Sequence, residues 1–194
     1  MVALRARLQS GLAALDRDLD ARTIDRLLDY IALLHKWNRA YNLTAIRDPA
    51  TMITRHLLDS LAVLPYLTGS RIIDVGTGAG LPGLVIAICK PDLAITLLDS
   101  NGKKTRFLQQ VVMEMQLNNV SVVQSRVESY SPEHLFDRII SRAFTALDNM
   151  VDWCQHFLAP QGEFLAMKGA YPEPGQKPLP SPWLVEETIA LNVP

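Results

Sequence analysis

Apolar residues in the first third of the chain recur at helical spacing. Ile24, Leu27, Leu28, Ile31 and Leu34 form one stripe. Asp48 before Pro49 pairs a capping residue with one suited to a first helical turn. A second stripe follows in Ile53, Leu57, Leu61 and Leu64, and the polar, aromatic stretch between the two, Trp37 to Thr44, predicts a turn. From residue 71 the rhythm changes to short apolar runs alternating with amphipathic stretches, the pattern of a parallel sheet with crossover helices. Strands are expected over 71–75, 94–98, 120–124, 136–141 and 163–168, and helices over 82–89, 103–116 and 146–158. Phe107, Leu108, Val111, Val112 and Met115 mark the buried face of the second of these helices, with Met113 as core filling; Trp153, Phe157 and Leu158 mark that of the third. A proline-rich loop follows (Pro172, Pro174, Pro178, Pro180, Pro182), and Leu184–Val193 alternates weakly enough to suggest one last strand. The expected organisation is a helical extension over 1–68 packed on an α/β domain over 69–194.

Composition narrows the class. The chain has 194 residues, 48% hydrophobic and 20% charged, as in an ordinary water-soluble globule. A net charge of −1 gives no whole-molecule attraction for nucleic acid, so any RNA contact needs a local basic patch. Cys89 and Cys154 fall in apolar helical stretches and read as buried thiols; no zinc-ligand spacing exists, and no metal is expected. Without an apolar run near ~20 residues or a signal-peptide core, the expectation is a cytoplasmic protein with no membrane partner, monomeric by default.

The chemistry is concentrated in Arg71-Ile72-Ile73-Asp74-Val75-Gly76-Thr77-Gly78-Ala79-Gly80-Leu81-Pro82-Gly83. An apolar run ends in an aspartate, a glycine-rich loop follows, and a proline suits the start of a helix. Open α/β sheets bind ligands at this end of their strands. A dinucleotide register can be forced onto Gly78-Ala79-Gly80-Leu81-Pro82-Gly83, but Gly76 already ends the strand and Pro82 should begin the helix. The alternative, Asp74 followed by Gly76, Gly78 and Gly80, resembles the first motif of class I S-adenosyl-L-methionine-dependent methyltransferases. That cofactor has no phosphate and carries a cationic tail, which an aspartate such as Asp74 suits. Asp99 closes the second predicted strand, where a carboxylate can accept both ribose hydroxyls; the competing reading is a helix cap. After the third strand, Val127 and Glu128 are placed to flank an adenine.

The reacting group is bounded by what is missing. Ser141-Arg142-Ala143-Phe144 replaces the Asn/Asp-Pro-Pro-aromatic motif of exocyclic amine methylation, and neither cysteine lies at a strand end, where a pyrimidine-carbon nucleophile would be needed. Guanine N7 has an in-plane lone pair and no proton, so its methylation needs alignment rather than a general base. A small-molecule methyltransferase, a nicotinamide oxidoreductase and a non-catalytic RNA-binding assembly factor are the competing readings.

Several segments together resemble one family. They are His35 to Thr44, Arg55-His56-Leu57-Leu58-Asp59-Ser60, Asp74 to Gly83, Leu97-Leu98-Asp99-Ser100, Gln124-Ser125-Arg126-Val127-Glu128, Ile140-Ser141-Arg142-Ala143 and Met167-Lys168-Gly169. The chain is similar over nearly its whole length to the RsmG (glucose-inhibited division protein B) family of bacterial small-subunit rRNA guanine-N7 methyltransferases. The resemblance implies a class I methyltransferase domain of Rossmann-like fold, S-adenosyl-L-methionine as cofactor, and methyl transfer to N7 of a guanine in the 530 loop of 16S rRNA, with that RNA or the small subunit as partner. It implies cofactor contacts at Gly76, Leu81, Val127, Glu128 and Arg142, to which the motif argument adds Asp74 and Asp99. Asn42, Arg126, Arg142 and Lys168 match positions near the RNA or the reacting base. Family chains continue past Leu191–Pro194 with a further strand, so the final strand of the sheet is expected to be missing.

Basic residues near the strand ends have two readings. Arg126, Arg142 and Lys168 favour a phosphate-binding role; Lys103, Lys104 and Arg106 fit that or a solvated helix surface equally, and Arg138 belongs to the same group. Arg126 and Arg142 are expected at the ends of neighbouring strands. Trp37 and Tyr41 are expected to dock one helix on another rather than to stack on a base, and His56 to be a hydrogen-bonded core residue.

Overall fold

The computed structural model describes residues 2–171 and 177–194; Pro172 and Pro174 of the proline-rich loop lie outside the described residues. Two helices open the chain, α1 (Val2–Ala14) and α2 (Ala21–Tyr41). The helical stretch 49–61, here α3, runs through Pro49–Met52, a π-helical segment Ile53–Leu58, and Asp59–Leu61. The α/β part then follows as β1 (Arg71–Val75), α4 (Gly83–Cys89), β2 (Ala94–Asp99), α5 (Gly102–Glu114), β3 (Val120–Gln124), β4 (Phe136–Arg142), α6 (Leu147–Cys154) and β5 (Leu158–Met167).

The caps explain the helix starts. Asp20 accepts from the Thr23 N–H at 2.8 Å and Asp48 from the Thr51 N–H at 2.8 Å, with Pro49 as first helical residue. α2 runs through the segment expected to turn. Trp37 stacks on Tyr41 with centroids 5.1 Å apart and lies 5.8 Å from Phe107, so Trp37 docks α2 onto α5 with Tyr41 backing it. The reversal falls at Asn42, in the left-handed conformation, and Asn38 shapes the loop beyond it by accepting from the Thr44 N–H and donating to the Ile46 carbonyl.

The five strands are parallel in the order β3-β2-β1-β4-β5. Side-chain alternation splits them between two cores. Ile72, Ile95, Leu97 and Ile140 pack against the N-terminal helices, α4 and α5. Ile73, Leu98 and Ile139 pack with Met150, Cys154 and Phe157 on the other face. The first core runs from Leu8 to Ile140, so extension and sheet share one interior. Both thiols are free, and burial pushes each up to about 12.

Three further expectations are corrected. Met113 is exposed, because α5 turns that side to solvent. β5 begins at Leu158, whose pairing with Phe136 precedes a register shift before Glu163 meets Arg138; the two charges pair at 2.8 Å across the strands. Leu184–Val193 forms no strand, and among the described residues the sheet ends at β5. Trp183, just before this segment, packs on Phe164 at 5.1 Å, residues 184–190 are exposed, and Val193 packs against the core on the opposite face. No described helix is long and apolar enough to cross a membrane.

Candidate functional site

The carboxyl ends of the strands form one rim, and the loop after β1 is its centre. Gly76, Gly78 and Gly80 all have positive φ, at 65°, 61° and 93°. This turn brings backbone N–H groups of the loop onto β2: Gly76 and Thr77 donate to the Leu98 carbonyl at 2.9 and 3.2 Å. The Gly78 N–H donates to Asp99 Oδ2 at 3.0 Å.

Asp74 lies under this loop rather than in its mouth. It is fully buried, and Oδ2 accepts from Thr77 Oγ1 at 2.6 Å and from the Gly83 N–H at 2.8 Å, while Oδ1 has no partner. Burial pushes its carboxyl up to about 7 against those two hydrogen bonds. The expected direct contact with a cationic tail thus gives way to a loop-holding role. Tyr30 of α2 supports the same loop from below, donating to the Ala79 carbonyl at 2.9 Å. The signal for Tyr30 was a hydroxyl on the apolar stripe of α2, one residue before Ile31.

The other expected cofactor residues divide. Asp99 ends β2 as foreseen and also accepts from the Asn101 N–H at 2.9 Å, with Lys104 Nζ 3.4 Å away. The helix cap is Asn101, which takes the Lys103 N–H, so Asp99 is not the cap of α5. Leu81 has a buried side chain and an N–H committed to the Thr77 carbonyl. A Cβ on Gly76 would lie 2.3 Å from the Phe144 ring, so this face of Gly76 is already covered. Gly78 is open: a Cβ there meets nothing nearer than the Gly76 carbonyl at 3.9 Å. Val127 is buried at the start of a 3-10 turn, beside the exposed Glu128 and Arg126.

The two arginines do not share neighbouring strands. β3 and β4 are separated by β2 and β1, three inter-strand steps or about 14 Å at ~4.8 Å each. Arg126 therefore lies at the β3 edge and Arg142 beside β1. The cause is the reversal of strand order after β3, which sequence order hides. Arg142 Nη1 donates to the Arg55 carbonyl and to Asp59 Oδ2, both at 2.8 Å. His56 closes this socket, with Nδ1 3.5 Å from Arg142 Nη2 and Nε2 3.0 Å from Thr44 Oγ1. Burial, and then the Arg142 charge, lower His56 to about 4, which leaves a neutral core histidine. Lys168, directly after β5, donates to the Thr145 carbonyl and so pins the loop beyond β4. Asn42 is exposed at the end of α2 and accepts from Arg47 Nη2 at 3.2 Å. Arg138 leaves the basic group, being 8% exposed and paired with Glu163. Among the described residues no cluster of metal-ligating side chains occurs.

Sheet order, glycine loop and strand-end acid define a class I S-adenosylmethionine-dependent methyltransferase fold. Solved structures agree on the fold. Coclaurine N-methyltransferase bound to N-methylheliamine and SAH matches with TM-score 0.52 and 12% identity over 84% of this chain and 56% of that one. A putative S-adenosyl-L-methionine-dependent methyltransferase from Methanococcus maripaludis matches with TM-score 0.50 and 18% identity over 72% and 62%. A model of the GidB family, rRNA small subunit methyltransferase G, matches residues 23–194. Ribosomal RNA small subunit methyltransferase G of Marinobacter nauticus is 53% identical over 97% of this chain and 88% of that protein, and that of Shewanella sp. strain ANA-3 is 47% identical over 98% and 93%. The chain belongs to the rRNA small subunit methyltransferase G family.

Proposed function

We propose that this protein transfers a methyl group from S-adenosyl-L-methionine to N7 of a guanine in 16S rRNA, in its 530 loop, within the cytoplasm. Membership in the family supports the RNA substrate, and the observation that carries the chemistry is the open glycine cradle at Gly78 beside Asp99, one strand from Arg142. The cradle fits the cofactor: a Cβ at Gly78 would fill space that no protein atom occupies. Asp99, the Gly76–Gly80 backbone, Val127 and Glu128 would hold it. When bound, S-adenosyl-L-methionine supplies an electrophilic methyl group on its sulfonium.

This chain's residues then have to align rather than to deprotonate, and alignment supplies about 7–11 kcal/mol of a barrier in well-oriented systems. Arg142 offers Nε and Nη2 donors to guanine O6 or a phosphate. Lys168 orders the loop after β4, and Asn42, Arg126 and the exposed Arg55, Lys103 and Arg106 form a polar, basic rim for the RNA backbone. This rim provides the local patch that the net charge of −1 does not. The test is mass-spectrometric mapping of modified guanines in small-subunit rRNA from cells with and without the gene. One N7-methylguanine should vanish without the gene and return on complementation; an unchanged map refutes the assignment.

A further inference from the structure

The π-helical segment Ile53–Leu58 is an irregularity that requires explanation. In an α-helix the Arg55 carbonyl would take the N–H of the residue four on, Asp59. Here the Asp59 N–H is directed to the Thr54 and His56 carbonyls instead. The Arg55 carbonyl thereby meets Arg142 Nη1 at 2.8 Å, and the Asp59 carboxylate meets the same nitrogen at 2.8 Å. Single-turn π segments concentrate at functional sites because they redirect backbone groups in this way. Arg142 is one residue before the left-handed Ala143, at the point where β4 leaves the sheet beside the glycine loop.

We infer that Asp59 is a positioning residue for methyl transfer, holding the Arg142 guanidinium by one nitrogen, with the π-turn carbonyl of Arg55, so that its other edge is presented to the substrate. Both Nη1 protons are used in the socket. His56 Nδ1 donates to the same Arg55 carbonyl at 3.0 Å, so it has no lone pair to offer Nη2 at 3.5 Å, and the Nε proton and the Nη2 pair remain. The ion pair is partly buried, with side-chain accessibilities of 21% for Arg142 and 31% for Asp59; solvent screening still takes back part of its attraction, and orientation of the guanidinium is what it adds to the reaction. A neutral His56 suits the arrangement, since a second cation would push the guanidinium out.

The inference rests on the proposed reading that Arg142 faces the reacting guanine, and it is tested in the full-length protein by methyl incorporation into small-subunit RNA or particles. Asp59→Asn keeps the shape and an acceptor oxygen but removes the charge. It should lower kcat at least tenfold, leave KM for the RNA within threefold, and keep the thermal midpoint within a few degrees. Added to Arg142→Lys, it should change kcat by less than twofold further, because the guanidinium it orients is already gone. Asp59→Glu, which keeps the charge, should recover part of the lost kcat. An Asp59→Asn enzyme with more than half the wild-type kcat overturns the inference, as does a double variant whose losses multiply. Should Asp59→Asn fail to fold, Asp59→Glu carries the comparison, and full activity in it overturns the inference. Failure of the underlying reading is separately visible, since wild-type protein would then transfer no methyl to a 16S rRNA guanine and both proposals would fall.

Discussion

Gly76 and Gly78 provide a controlled experiment inside one loop. Their φ values differ by only a few degrees, at 65° and 61°, so alanine at either position meets the same left-handed backbone strain of ~1–2 kcal/mol. Their surroundings differ. A Cβ at Gly76 would lie 2.3 Å from Phe144 Cδ2, whereas at Gly78 the nearest atom is 3.9 Å away. Forcing the Phe144 ring aside adds an overpacking cost of ~1–3 kcal/mol. The ring has little room to move, being held edge-on against Trp153 at 6.0 Å. Gly78→Ala should therefore cost ~1–2 kcal/mol and Gly76→Ala ~2–5 kcal/mol. For a chain of this size each kcal/mol lowers the thermal midpoint by about 2–4 °C.

Cofactor affinity should run in the opposite order. The new methyl of Gly78→Ala enters the open side of the cradle, where the ligand approaches, while that of Gly76→Ala is directed at Phe144. Urea unfolding and calorimetric titration with S-adenosyl-L-methionine measure the two orders independently. Gly78→Ala should be the more stable variant and the weaker binder. Equal unfolding costs, within about 0.5 kcal/mol, would refute the packing argument. Affinity that follows stability would refute the placement of the ligand.

Three further outcomes follow from single contacts. Tyr30→Phe strands the Ala79 carbonyl that the hydroxyl reaches at 2.9 Å, and should cost ~1–3 kcal/mol in urea unfolding with weaker cofactor binding; an unchanged unfolding midpoint would remove the hydroxyl from the loop's support. Asp99→Ala should weaken S-adenosyl-L-methionine binding by ~1.5–3 kcal/mol, the range for hydrogen bonds to a charged group, and an unchanged dissociation constant would confine Asp99 to holding Gly78 and Asn101. Asp74 titrates at about 7 when folded against 3.8 ordinarily, so the native state holds the extra proton and its stabilising effect is lost as pH rises through about 7. Wild type should thus lose stability relative to Asp74→Asn between pH 5 and pH 8, and a constant difference in urea midpoints would contradict a buried, protonated carboxyl.

Much of the sheet was legible because its signals are local. β1 and β3 keep their expected bounds, and the glycines, Asp99 and Arg142 lie at strand ends as the pattern requires. The segment Trp37–Tyr41 was misread as a turn because Trp37 packs on Phe107, a contact 70 residues away that local polarity cannot show. The separation of Arg126 from Arg142 was hidden for a topological reason: strands consecutive in sequence lie on opposite sides of β1. Asp74 looked like a ligand because a carboxylate beside a glycine loop suits a cation, yet its burial under Thr77 and Gly83 is a property of the turn's geometry. The π-turn at Arg55 leaves no periodic signature, since a π-helical segment of six residues fits within one apolar stripe.

The helical extension is better understood as half of the site than as an appendage. Three of its residues reach the two parts that catalysis by alignment must fix. Tyr30 fixes the glycine loop at Ala79, and the Arg55–Asp59 turn fixes Arg142. Both contacts cross the interface between α2, α3 and the sheet, and both lie over a core that runs unbroken from Leu8 to Ile140. A chemistry with no proton to remove gains nothing from a general base and everything from rigid placement of cofactor and base. The α/β part already ties the glycine loop to Leu98, Asp99 and Asp74, and the loop beyond β4 to Lys168. The extension adds a second set of constraints from the other side, and for that reason its most informative residues are a buried hydroxyl and a redirected carbonyl rather than a nucleophile.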